Sequence, residues 1–270
     1  MKRALNIKNL NHSYGMVSVL KNLSFAVKKS DFFIIIGPNG SGKTTLMKII
    51  AGIIKPQKKS LEILGHPVET YSRKALAKAI AFVPQTTAAD FPFTVKELVS
   101  MGRSPYLGIL GMEQEKDMEI TKQAIAFTSM EHLAHRKCDE LSGGERQRAF
   151  IARAICQQPQ IILLDEPTAS LDLAHQVRIM DLMEKLKKKE GVTIVMISHD
   201  VNLAAMYADR LLLLNKGQIV NIGQPAEVLT YQALEKTYGC KLVIDKSPIG
   251  QSPRVTLVPQ KFINTDMQPG

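Results

Sequence analysis

The chain has 270 residues, 45% hydrophobic and 22% charged, with a formal net charge of +10. That balance suits one or two domains around a full core and excludes a disordered or fibrous chain. No apolar run approaches the roughly 18 residues a membrane span needs, and the basic start "MKRALNIKNL" lacks an apolar stretch, so no secretory leader is expected.

Along the chain, "ALNIKNLNHSYG" and "LKNLSFAVKK" within residues 1–30 read as short alternating strands of an antiparallel layer. Uninterrupted apolar runs follow: "FFIII" (32–36), "AIAFV" (79–83), "IILL" (161–164), "TIVMI" (193–197) and "RLLLL" (210–214). Runs without alternation suit strands buried on both faces, hence a mostly parallel sheet. Helical patterns at 43–51, 71–79, 114–129, 144–157, 173–190 and 200–207 alternate with them, which makes the fold class α/β. From about 87 to 156 strand signals vanish, predicting a helical insertion. The tail from 239, with "SPIGQSPRVTLVPQ", is too rich in Pro and Gly for a helix and reads as an appended strand and turn.

Several features point away from function. Cys138, Cys156 and Cys240 are odd in number and widely spaced, as reduced thiols would be. "KLKKK" at 185–189 reads as a solvated face near a helix C-terminus. His132 and His135 lie one helical turn apart without an acidic or Cys partner at ligand spacing, and read as a solvated helix. With no Trp and no interleaving of aromatic and basic residues, binding to nucleic acid is not expected.

"IIIGPNGSGKTT" matches G-x-x-x-x-G-K-[ST] between a buried strand and a helix, as a P-loop requires. Gly37, Gly40 and Gly42 let the backbone of Pro38, Asn39, Ser41 and their neighbours wrap phosphate oxygens. Lys43 supplies charge to the β- and γ-phosphates, Thr44 a hydroxyl for Mg²⁺, and Thr45 continues the helix start. "IILLDEP" ends a second buried strand with Asp165 and Glu166 at the carboxyl edge, where ligands sit in such sheets. Asp165 is expected on Mg²⁺, and Glu166 as the base that polarises water. "LSGGERQR" (141–148) is a further anion-binding turn at a helix start, but it has no lysine.

In this order and spacing the phosphate loop, "LSGGE", "LLDEP", "SLD" and "SHD" resemble the ATPase subunits of ABC transporters, over about residues 1–240. The resemblance implies a P-loop core with an antiparallel layer and inserted helical subdomain, leaving 241–270 as a short C-terminal extension. It implies that Tyr14 stacks on adenine, that Gln85 and His199 reach the γ-phosphate, Mg²⁺ and attacking water, and that Asp172 communicates across a dimer. Ser142, Gly143 and Gly144, supported by Glu145 and Gln147, would cap ATP held by a second copy in a head-to-tail homodimer, which answers the missing lysine. Taken alone, Tyr14 would be a half-buried strand aromatic, Gln85 a turn residue and His199 a polar helix start. A glycine is common in the family where this chain has Ser30 and Lys59.

"FTVKELVSMGRSPYLG" (93–108), "LDLAHQ" and "HDVNLAAMYAD" look like the ATPase subunits of importers for iron–siderophores, heme and cobalamin. That implies a peripheral protein on the cytoplasmic face of the membrane, with separate permease subunits contacted near Arg103, Pro105 and Tyr106, and indirectly a substrate-binding protein. Pro105 and Tyr106 could equally pack the insertion. A zinc, manganese or molybdate importer is an alternative, as is a soluble ABC ATPase of the iron–sulfur assembly kind. The cargo cannot be derived from residues that never touch it.

Overall fold

The computed structural model describes residues 2–85, 92–108, 111–169 and 171–262. Ser170 of "SLD", the point near 87 where the helical insertion was expected to begin, and the last residues of the tail lie outside them.

The chain opens with β1 (Arg3–Tyr14) and β2 (Val17–Lys28), a long antiparallel pair. Next come β3 (Phe32–Ile36), α1 (Lys43–Ile50), β4 (Leu61–Ile63), β5 (His66–Pro67), α2 (Arg73–Ala79) and β6 (Ile80–Val83). Among the described residues three α-helices then follow without a strand: α3 (Val95–Ser100), α4 (Glu115–Phe127) and α5 (Gly143–Cys156). The core resumes with β7 (Ile161–Asp165), α6 (Leu173–Glu190), β8 (Thr193–Ile197), α7 (Val201–Tyr207), β9 (Arg210–Asn215) and β10 (Gln218–Gly223). α8 (Pro225–Val228), α9 (Tyr231–Tyr238) and the antiparallel hairpin of β11 (Leu242–Lys246) and β12 (Pro253–Leu257) complete it.

One sheet has the order β10-β9-β3-β8-β7-β6 and is parallel except for the edge strand β10. The other, β2-β1-β4-β5, is antiparallel. β3 shows why both layers are needed. Phe32, Ile34 and Ile36 enter a cluster with Leu98, Ala124, Phe150 and Met183, while Phe33 and Ile35 enter another with Leu5, Ile7, Leu20 and Leu46. All five side chains of β3 are buried, each stabilising the fold by roughly 1.5–3 kcal/mol. The even residues need the helices and the odd ones the antiparallel layer.

In the helical segment, Arg103 differs from its expected role as a permease contact. It is 3% exposed, and its Nε donates to Asp117 Oδ1 at 2.8 Å. Its Nη1 donates to Cys156 O at 3.0 Å and Gln158 Oε1 at 3.2 Å, so the guanidinium ties the start of α4 to the end of α5. A side chain used this fully inside the protein is not presented to a partner. Tyr106, which lies 3.9 Å under that guanidinium and 4.7 Å from Lys78 Nζ, is half-buried, as is Pro105.

His132 and His135 are exposed, but on a single 3-10 turn (Glu131–Leu133) and the turn after it, not on a helix. The lysines of "KLKKK" occupy the last turns of α6, with Lys187 against Asp209 and Lys188 against Glu184, and Gly191 ends the helix at φ 65°. Ser30 and Lys59 keep left-handed backbone, φ 60° and 64°, where the family's glycine would be unstrained. Among the described residues, no helix is long and apolar enough to cross a membrane.

Candidate nucleotide site

The loop between β3 and α1 is built around its glycines. A Cβ on Gly37 (φ 148°) would lie 2.0 Å from Leu214 O, and one on Gly42 (φ 104°) 2.7 Å from Leu20 Cδ2. Neither position accepts another residue. The loop closes on itself through Ser41 N to Pro38 O at 3.2 Å and is pinned to the β9–β10 turn by Gly217 N to Ser41 O at 3.0 Å. α1 starts at Gly42 without a side-chain cap, so its first N–H groups remain free to meet an anion.

Lys43 is buried, and its Nζ donates to Gly37 O at 2.9 Å and Pro38 O at 3.0 Å. Burial lowers its pKa, opposed by the nearby Glu166 and Asp165 carboxylates. Ser41 Oγ is buried with no partner among the described residues, an orphan of the kind a phosphate oxygen would satisfy.

Asp165 ends β7, 2% exposed, and accepts from Thr44 Oγ1 at 3.3 Å. Burial first, and then the Glu166 charge, raises its pKa. Glu166 adopts φ 52°, a left-handed conformation that costs a non-glycine residue about 1–3 kcal/mol and turns the carboxylate out of the strand. Gln85, two residues beyond β6, donates Nε2–H to Glu166 Oε2 at 2.5 Å. On the other side His199 Nε2 lies 2.5 Å from Glu166 Oε1, and a carboxylate acceptor requires the proton on that nitrogen.

The open cleft, about 530 Å³, is lined by Tyr14, Val19, Asn39, Gly40, Ser41, Gly42, Lys43, Thr44, Thr45, Gln85, Glu166 and His199. Tyr14 is 52% exposed, with His12 edge-on behind its ring at 4.8 Å between centroids. This concavity joins a half-exposed aromatic ring, a phosphate loop and a carboxylate, the parts a nucleoside triphosphate requires.

Ser142, Gly143, Gly144 and Asp172 do not line this cleft. Ser142 caps α5 in a reciprocal pair: its Oγ accepts from Glu145 N at 3.3 Å, and Glu145 Oε2 accepts from Ser142 N at 2.8 Å. Asp172 caps α6, accepting from His175 N at 2.8 Å, and both its oxygens lie 2.9 Å from His175 Nδ1.

Sequence reasoning did not single out His175 or Val19, nor Tyr238, whose hydroxyl lies against the Gly37 backbone N–H. Val19 alternates with buried Leu20 on β2, a weak signal. Tyr238 is some 200 residues from its partner, and no local pattern announces it.

A nucleotide cleft with paired acids at the edge of a parallel sheet, interrupted by helices that carry a capped Ser-Gly-Gly turn, defines an ATP-binding cassette. The chain belongs to the ABC transporter family, whose model matches residues 20–169. It is 39% identical over 245 residues to the achromobactin transport ATP-binding protein of Dickeya dadantii (strain 3937), covering 90% of this chain and 91% of that one. To the ferric enterobactin transport ATP-binding protein of Escherichia coli (strain K12) it is 36% identical over 248 residues, 92% of each chain. A metal-chelate type ABC transporter solved in an inward-facing conformation superimposes with a TM-score of 0.85 at 31% identity, covering 97% of this chain and 100% of that one. A dimeric post-hydrolysis cassette bound to ADP and Pi gives 0.71 at 31% identity, covering 82% and 98%. The protein is an ATP-hydrolysing subunit of an ABC transporter.

Proposed function

We propose that the chain drives import of an iron chelate of the siderophore or heme type through separate permease subunits, working as a head-to-tail homodimer on the cytoplasmic face of the membrane. The cargo class is supported by the relatives described above, transport ATP-binding proteins for achromobactin and ferric enterobactin that match nine-tenths of the chain. Pro105 and Tyr106, half-buried at the surface of the helical segment, are the candidates for permease contact.

The observation that carries the chemistry is the Glu166 carboxylate held between Gln85 and His199 beside the phosphate loop. Glu166 takes the proton of the attacking water, Gln85 and His199 fix its two oxygens, and His199 also faces the position of the γ-phosphate. Lys43 and the N–H groups of residues 37–45 bind the phosphates, and Tyr14 stacks on the base. Mg²⁺, when bound, neutralises phosphate charge, and Thr44 and Asp165 are the residues to hold it. Their donor set fits: one hydroxyl and one carboxylate leave the remaining positions to phosphate and water, as Mg²⁺ prefers. Ser142, Gly143 and Gly144 serve the nucleotide of the second copy.

The test is Glu166→Gln, which keeps the shape and removes the base. ATP binding should persist, turnover should vanish, and a dimer stable to gel filtration should accumulate with ATP and Mg²⁺. Retained turnover, or full-rate hydrolysis by a demonstrably monomeric sample, would refute the mechanism.

A further inference from the structure

The C-terminal hairpin grips the helix that begins just after His199. Asn202, in the first turn of α7, donates Nδ2–H to Val255 O at 3.1 Å and accepts from Val255 N at 2.8 Å. A side-chain amide paired with both polar groups of one β12 residue fixes orientation as well as distance. α7 has only seven residues, too few to hold a position by its own hydrogen bonds. On its far side Tyr207 donates to Asp181 Oδ1 of α6 at 2.7 Å. Its start is tied by Asp200, which accepts from Asn202 N and Leu203 N, while Ser198 N donates to Ile35 O. Val201 and Tyr207 of α7 and Ile244 and Val255 of the hairpin pack on the same core cluster. The His199 side chain is 42% exposed and held through Glu166, so the rigid body to which its backbone leads determines where the imidazole rests.

The same segment meets the site a second time. Tyr238 ends α9, and burial pushes its hydroxyl up to about 12, while the Gly37 amide against it works the other way.

We infer that Asn202 is a positioning residue for ATP hydrolysis, and that the β11–β12 hairpin acts through it to hold α7 and His199 at Glu166. This rests on the role given to His199 above. Loosening the grip lets the imidazole drift from the carboxylate while the phosphate loop and Tyr14 are untouched. The signature is therefore a fall in kcat with nucleotide affinity preserved, because misplacing a reacting group by about 1 Å costs up to roughly a hundredfold in rate.

The experiment uses the full chain with ATP and Mg²⁺, comparing Asn202→Ala, Val255→Pro (which deletes the N–H donor), their combination, Asn202→Asp, His199→Ala and Asp245→Asn. Asp245 pairs with Arg254 across the hairpin without touching Asn202, and controls for hairpin damage alone. Rates are normalised to the folded fraction from calorimetry, and Kd is measured with a fluorescent ATP analogue. Asn202→Ala and Val255→Pro should each lower kcat about tenfold or more with Kd within about twofold, the combination no further. Asn202→Asp, which keeps the acceptor for Val255 N–H, should recover part of the rate, and Asp245→Asn should match wild type. Wild-type kcat in Asn202→Ala alongside an inactive His199→Ala would overturn the inference and leave the mechanism standing. Full turnover by His199→Ala would overturn the role of His199 itself, and the inference with it.

Discussion

The ring of His175 lies directly over Gly144: a Cβ added to Gly144 would come within 2.5 Å of His175 Cδ2, whereas one added to the adjacent Gly143 meets nothing within 4 Å among the described residues. His175 is in turn paired with Asp172, so the capped start of α6 and the first turn of α5 are stacked on one another. The two glycines therefore answer to different demands. Gly143→Ala should leave thermal stability unchanged or raise it by up to about 0.5–1 kcal/mol through helix propensity. Gly144→Ala should cost about 1–3 kcal/mol through overpacking. Adding His175→Ala to the Gly144→Ala variant should recover most of that loss in chemical denaturation.

Arg103 and Asp117 form an ion pair whose side chains are almost wholly enclosed. Arg103→Ala strands a carboxylate and should cost about 3–5 kcal/mol in urea unfolding. Lysine should rescue poorly, since it cannot also reach Cys156 O and stack on Tyr106. The Arg103 guanidinium, then the Gln114 N–H, hold the Asp117 carboxyl below the usual range. A depressed acid stabilises the fold at neutral pH, and that contribution is lost as pH falls through its folded pKa. In Arg103→Ala this acid-side loss should be smaller.

Asp165 runs the opposite way. Its pKa is raised by burial and by Glu166, so the folded state holds the proton more tightly and stability declines as pH rises past the unfolded value. Asp165→Asn should therefore melt at a higher temperature than wild type at pH 7. That advantage should close below about pH 3.9, where a free Asp is itself protonated. The same variant should lose Mg²⁺-dependent ATP turnover, a site in which function opposes stability.

Lys59 occupies φ 64° with its N–H bonded to Glu69 Oε1 at 2.6 Å, a bond any residue can make. Lys59→Gly should relieve about 1–2 kcal/mol of backbone strain against a smaller gain in unfolded-state entropy. A net rise of roughly 0.5–1 kcal/mol is expected in thermal unfolding. Ser30→Gly should gain little, because it also deletes the 2.7 Å bond from Ser30 Oγ to Gly191 O.

The interior strands were legible because burial on both faces forces uninterrupted apolar runs: 32–36 and 193–197 coincide with β3 and β8. α6 coincides with its pattern because Asp172 and Gly191 mark its ends. Short elements near the C-terminus escaped. α8 has four residues and α9 eight, and β10 alternates on an edge with only partial burial. Within the site, the P-loop residues and Glu166 follow from local motifs, and Gln85 and His199 from the family resemblance that those motifs carry. The supports do not: Asn202 on Val255, Tyr238 at Gly37 and His175 over Gly144 join positions that only the folded chain brings together. Arg103 was misread for the same reason, since its carboxylate partner lies 14 residues away across a turn.

Lys43 hydrogen-bonds to two carbonyls of its own loop. The loop is thus held in its curved shape by the same cation that faces phosphate, whose three ammonium protons allow it both roles. ATP capture then resembles docking into a set mould rather than the ordering of a slack segment, and the entropy cost of loop closure falls out of the binding free energy. The association rate should accordingly follow encounter, varying with ionic strength and viscosity in stopped-flow mixing and showing no slow conformational phase.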